Sequence, residues 1–213
     1  MDIVLVSGRP PEIKAETVMV PEPNPAMGIN VLSNVPAFDW SYGCSATSAA
    51  MMFGYYDRTI YPNMYAGPTN SGVCPMTNSV WGSGECPLSA THKGKDGLST
   101  KGHVDDYWYS YNSYRDPYYG NWAQHTYSSC TADFMGTNQY YNWQCPDGGT
   151  CFFNYNDGSP LYDYSGHESQ RWRDGCHGMK LFVESRGYSV TYHGNYNQYI
   201  YGYLTSPLSP FSL

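Results

Sequence analysis

The longest stretch with one uninterrupted apolar pattern runs from Gly43 to Asp57, Gly-Cys-Ser-Ala-Thr-Ser-Ala-Ala-Met-Met-Phe-Gly-Tyr-Tyr-Asp. Ala, Met and Phe dominate it and no Pro breaks it, so it predicts a helix of about four turns, apolar enough to sit in a core. A second helix is expected from Lys101 to Asn112. There Val104, Trp108 and Tyr111 share a face, and Asp105 and Asp106 suit the positive end of the helix dipole. A third fits Gly178 to Arg186, where Met179, Phe182, Val183 and Arg186 are spaced as a buried stripe and Gly187 is placed to cap the C-terminus. Tyr188-Ser189-Val190-Thr191-Tyr192 then alternates as a strand does.

Turn-forming residues separate these elements. Residues 1–30 hold Pro10, Pro11, Pro21, Pro23 and Pro25 and read as a Pro-rich extended arm, β-prone only at Thr17-Val18-Met19-Val20. Asp2 to Val6 is too short for a signal-peptide core, and no basic segment precedes it. The chain is turn-rich from Tyr61 to Gly97. Residues 113–175 read as elaborated loops with short strands in aromatic runs such as Cys151-Phe152-Phe153-Asn154-Tyr155. The organisation expected is an arm (1–30), one domain (31–203) and an unstructured tail (204–213) containing Pro207 and Pro210.

Composition narrows the setting. Charged residues are only 14% of the chain, against 23 Tyr, 22 Gly and 15 Pro. A net charge of -7 argues against nucleic acid or anionic membranes as partners. No apolar run approaches the roughly 20 residues of a membrane span. Seven cysteines point to an oxidising compartment, hence to a secreted or cell-surface protein. Cys145 with Cys151 and Cys74 with Cys86 would close short loops, leaving Cys130 for Cys176, although spacing alone does not choose among the pairings. The odd count leaves one thiol over, and Cys44, the one cysteine opening a helix of good propensity, is the choice. No pair of C-x-x-C motifs is present, so no zinc site and no other cofactor is expected.

Cys44 is also the leading candidate for chemistry. A thiol at a helix start lies among backbone N–H groups without intrahelical partners, where ionisation is favoured and the thiolate is the reactive form. Acyl transfer further needs a base, a group orienting it and an oxyanion hole. Of His92, His103, His125, His167, His177 and His193, His103 is the best base and Asp105 its best partner, although neighbours two apart on one helix face away from each other. His177, beside Cys176, reads as structural. Asn154-Tyr155-Asn156-Asp157-Gly158-Ser159 offers oxygen ligands but no EF-hand spacing, and reads as an Asx-rich turn. Asp105 and Asp106 are adjacent and diverge, which counts against a glycosidase carboxylate pair.

The Gly43-Cys44-Ser45-Ala46-Thr47 turn into a small-residue, Met-rich helix ending Gly54-Tyr55-Tyr56-Asp57 resembles the papain-like cysteine peptidases of the bacteriocin-processing, double-glycine leader type. Val35-Pro36-Ala37-Phe38-Asp39-Trp40-Ser41-Tyr42, Cys86-Pro87-Leu88-Ser89-Ala90-Thr91-His92 and Gly102-His103-Val104-Asp105-Asp106-Tyr107-Trp108 extend the likeness to secreted bacterial members, over most of residues 28–203. The resemblance implies an α+β papain-like domain with Cys44 at the start of its central helix, disulfide-stapled insertions and a peptide or protein substrate. The family's oxyanion Gln is missing before Cys44, and Trp40 or Ser41 stands in that region. Nothing after Tyr203 resembles the His-bearing sheet of that family, so a truncated nucleophile half that lacks the family's usual base is expected. The competing expectation is a secreted, aromatic-rich, non-catalytic module that binds protein or polysaccharide.

Overall fold

The computed structural model describes residues 1–6, 31–38, 40, 43–65, 72–77, 88, 130–137 and 148–199. These form an α+β arrangement of three helices and small antiparallel sheets. In chain order they are β1 (Asp2–Val6), α1 (Cys44–Thr59), α2 (Thr131–Met135), β2 (Thr150–Asn154), β3 (Leu161–Tyr162), β4 (Gly166–His167), β5 (Trp172–Arg173), α3 (Gly175–Ser185) and β6 (Tyr196–Asn197). The strands pair as β1 with β2, β3 with β6 and β4 with β5.

Helix α1 carries the core. Ala46, Ala49, Ala50 and Phe53 are buried along it, and the small residues let neighbouring segments come close. Phe182 of α3, fully buried, stacks on Phe53 with centroids 4.9 Å apart and meets Phe134 of α2 edge-on at 5.7 Å. The Thr131 hydroxyl donates to the Ala46 carbonyl at 2.7 Å and ties α2 to α1. The end of the Gly54-Tyr55-Tyr56-Asp57 string has structural work in this frame. A Cβ on Gly54 would fall 2.8 Å from Cys74 Sγ and 2.9 Å from Pro36 Cγ. The buried Asp57 accepts the backbone N–H groups of Tyr65 and Cys74, both at 2.9 Å, pinning the turn-rich segment that follows α1.

Asp174 joins the sheets to α3. It is the N-cap, its Oδ1 accepting from Cys176 N and His177 N, while its Oδ2 accepts from Phe153 N of β2 and Asn197 Nδ2 of β6. That cap starts α3 at Gly175, three residues before the apolar stripe does. The C-terminus ends as the sequence suggests: Gly187 has φ 91° and its N–H donates to the Glu184 carbonyl.

Three expectations change. The first residues of the supposed arm form β1, whose Asp2 to Val6 pair with Asn154 to Thr150. Residues 188–191 form no strand. Tyr188 instead packs edge-on against Tyr61 and donates its hydroxyl to the Pro62 carbonyl, a one-turn helix follows at Tyr192–Gly194, and only Tyr196–Asn197 pairs, with β3. The disulfide framework is not supported, because no disulfide joins any two of Cys44, Cys74, Cys130, Cys151 and Cys176. Cys130 caps the start of α2, whereas α3 enters against the other end of α2, at Phe134 and Met135, so the Cys130–Cys176 pair does not form. Cys86 and Cys145 lie outside the described residues, as does the expected helix from Lys101 to Asn112.

Candidate functional site

Cys44 is the first residue of α1 and is half-buried. The turn that presents it requires glycine: Gly43 has φ 133°, and a Cβ there would meet the Gly148 carbonyl oxygen and Thr137 Oγ1, each at 3.0 Å. The Gly43 carbonyl then accepts from both the Thr47 N–H (2.9 Å) and its hydroxyl (2.8 Å), which fixes the first turn. No acidic side chain lies in that turn. The cysteine stands in the wall of a cleft of about 410 Å³, with Ser45, Ser48, Ala49 and Met52 along α1 and Val6, Met135, Phe152 and Met179 opposite. Among the described residues no charged side chain lines this cleft.

The other proposed participants fall elsewhere. Trp40 packs against the core that α1 carries and does not line the cleft. His103, Asp105 and Ser41 lie outside the described residues. The cleft-lining residues across from Cys44 were not visible as such in the sequence. Met179 belongs to the stripe read as buried, and Val6 to the segment read as an arm.

The structure also pairs a histidine with a carboxylate that sequence spacing did not connect. His177 Nδ1 lies 2.8 Å from Asp163 Oδ1. Lys180 Nζ donates to Asp163 Oδ2 at 2.5 Å and Asn195 Nδ2 donates to Oδ1 at 3.2 Å. Asp163 holds φ 40°, a left-handed conformation uncommon for a residue with a Cβ. Residues 177, 180 and 184 share one face of α3, whereas Gly178 and Phe182 face α2 and α1. His177 does not line the Cys44 cleft. Burial raises the Asp163 carboxyl, but the hydrogen bonds from Lys180, His177 and Asn195 outweigh it and hold the group below its ordinary value. A carboxyl lowered on folding contributes stability above its unfolded value and loses it as pH falls through the folded one. Acid titration of unfolding below about pH 4 is thus expected to show a drop that flattens in Asp163→Asn.

Two further groups are set by burial. Desolvation, with the Asp174 carboxylate beside it, pushes the Cys176 thiol up to about 12, so it is inert as a nucleophile near neutrality. Desolvation also raises the Asp174 carboxyl, against the four donors that favour its charged form. Among the described residues no three His, Cys, Asp or Glu side chains gather as metal ligands. In the turn considered for calcium, Asp157 Oδ1 is taken by the Ser159 N–H and hydroxyl, at 2.9 and 2.6 Å. No helix among the described residues is long and apolar enough to cross a membrane. Comparison of the chain with protein-family models, curated proteins and solved structures returns no match.

Proposed function

We propose that this chain is a papain-like cysteine peptidase domain that cleaves peptide bonds through the Cys44 thiolate. The observation that supports the reading is the placement of Cys44. It is the first helical residue of α1, held by a glycine-specific turn, and its side chain borders an open apolar cleft. A peptide lying in that cleft would bring its carbonyl carbon to Sγ. Attack forms the Sγ–C bond and places negative charge on the carbonyl oxygen. The N–H of Cys44 itself, in the first turn of α1, is the donor proposed for that oxygen. A base removes the thiol proton and delivers it to the leaving amine, and water then hydrolyses the thioester. His103 and Asp105 fill the roles of base and orienting group in this reading. His177, bonded to Asp163 and outside the cleft lining, does not.

The test is hydrolysis of an unfolded protein such as casein, with Cys44→Ala and His103→Ala as separate variants. Each is expected to lower the rate by at least about a thousandfold, since members of a catalytic unit fail together. Activity that survives Cys44→Ala would overturn the assignment.

A further inference from the structure

A second groove lies between the β1–β2 pair and the residues following β6, about 260 Å³ in volume, and shares Phe152 with the Cys44 cleft. Its walls combine the aromatic rings of Phe152 and Tyr199 with three side-chain amides, Asn154, Asn197 and Gln198. Each amide is oriented from inside. Asn154 Nδ2 donates to the Tyr155 carbonyl at 3.3 Å, Asn197 Nδ2 to Asp174 Oδ2 at 2.5 Å, and Gln198 Nε2 to the Gly158 carbonyl at 2.9 Å. These bonds occupy donors and leave the three amide oxygens without a partner among the described residues. Among the described residues the groove therefore offers acceptors and ring faces, with no charged side chain.

The geometry points to a binding site for one sugar ring of a neutral polysaccharide. Hydroxyl groups are the donors that fixed amide oxygens require, and the C–H face of a pyranose packs on an aromatic ring. An anionic ligand would find no cation among the described residues of the groove, and the size suits a single ring better than a folded partner. Cys44 does not line the groove, so binding there would hold the protein on a glycan surface whether or not the peptidase reading stands.

The test uses the full chain against insoluble cellulose, chitin and starch, with the matching soluble hexasaccharides as competitors. Retention on at least one polymer is expected, released by its own hexasaccharide and unchanged by salt. Tyr199→Ala and Gln198→Ala, both at exposed positions, are each expected to weaken it roughly tenfold. Tyr192→Ala serves as a control. Tyr192 is 61% exposed and stacks with Tyr162 outside the groove, so retention should be unaffected. The proposal is overturned if none of the three polymers retains the protein, or if retention is lost in Tyr192→Ala and kept in Tyr199→Ala and Gln198→Ala. Binding to unfolded casein that the groove variants abolish would also overturn it, in favour of a peptide site.

Discussion

Asp174→Asn is expected to destabilise the protein by about 1–3 kcal/mol, although it is almost isosteric. Both carboxylate oxygens are acceptors for two donors each. Asparagine keeps one oxygen and turns an NH₂ group towards either the first turn of α3 or the Phe153 N–H of β2. In the first case the N-cap is lost, at about 1 kcal/mol. In the second a buried backbone N–H has no acceptor, at about 1–3 kcal/mol. Asn197 can rotate its own amide to compensate; Phe153 N–H cannot. Because the Asp174 carboxyl is raised on folding, its ionisation opposes folding as pH rises through the folded value, so the deficit of the Asn variant should be largest in acid. Denaturant midpoints for wild type and Asp174→Asn across that range check the deficit. An Asn variant as stable as wild type would show that the four hydrogen bonds do not act together.

Gly178→Val carries the second large effect, about 3 kcal/mol. A Cβ on Gly178 would sit 2.5 Å from the Phe134 carbonyl oxygen and 2.6 Å from Met135 Cα. Those are backbone atoms of α2, so relief requires the two helices to separate, and the Phe53–Phe182–Phe134 stack would open with them. Gly187→Ala is the natural comparison. It lies just past the C-terminal end of the same helix, but nothing stands within 4 Å of its Cβ, so its cost is limited to the left-handed φ, about 1 kcal/mol. Thermal unfolding of the pair separates contact from conformation. Equal losses would mean that the α2–α3 approach is not a tight contact.

Both predictions depend on features that the sequence carried but that its periodicity did not express. Helices α1 and α3 were legible because their apolar residues recur at helical spacing over several turns. The start of α3 was not, since Asp174-Gly175-Cys176-His177 reads as a turn unless Asp174 is recognised as an N-cap. Strand β1 was obscured by the prolines that follow it, and its partner β2 lies nearly 150 residues away in the chain. The alternation from Tyr188 to Tyr192 was a true pattern without a neighbouring strand to use it. Long-range pairing decides such segments, and single-sequence patterns do not encode it. The same holds for the sites. Cys44 was visible because its signal is local, a glycine turn entering a helix. The His177–Asp163 pair and the amide-lined groove are assembled from segments with no common motif.

The peptidase reading turns on whether Cys44 behaves differently from a thiol that is merely buried. The direct measurement is alkylation of the native, unreduced protein with iodoacetamide, followed cysteine by cysteine by mass spectrometry, with casein hydrolysis assayed on the same samples. The account predicts that Cys44 is modified first, that Cys176 resists, and that hydrolysis falls in proportion to Cys44 labelling. Native protein in which Cys44 is bridged to another cysteine, or in which hydrolysis continues after Cys44 is fully alkylated, would contradict it.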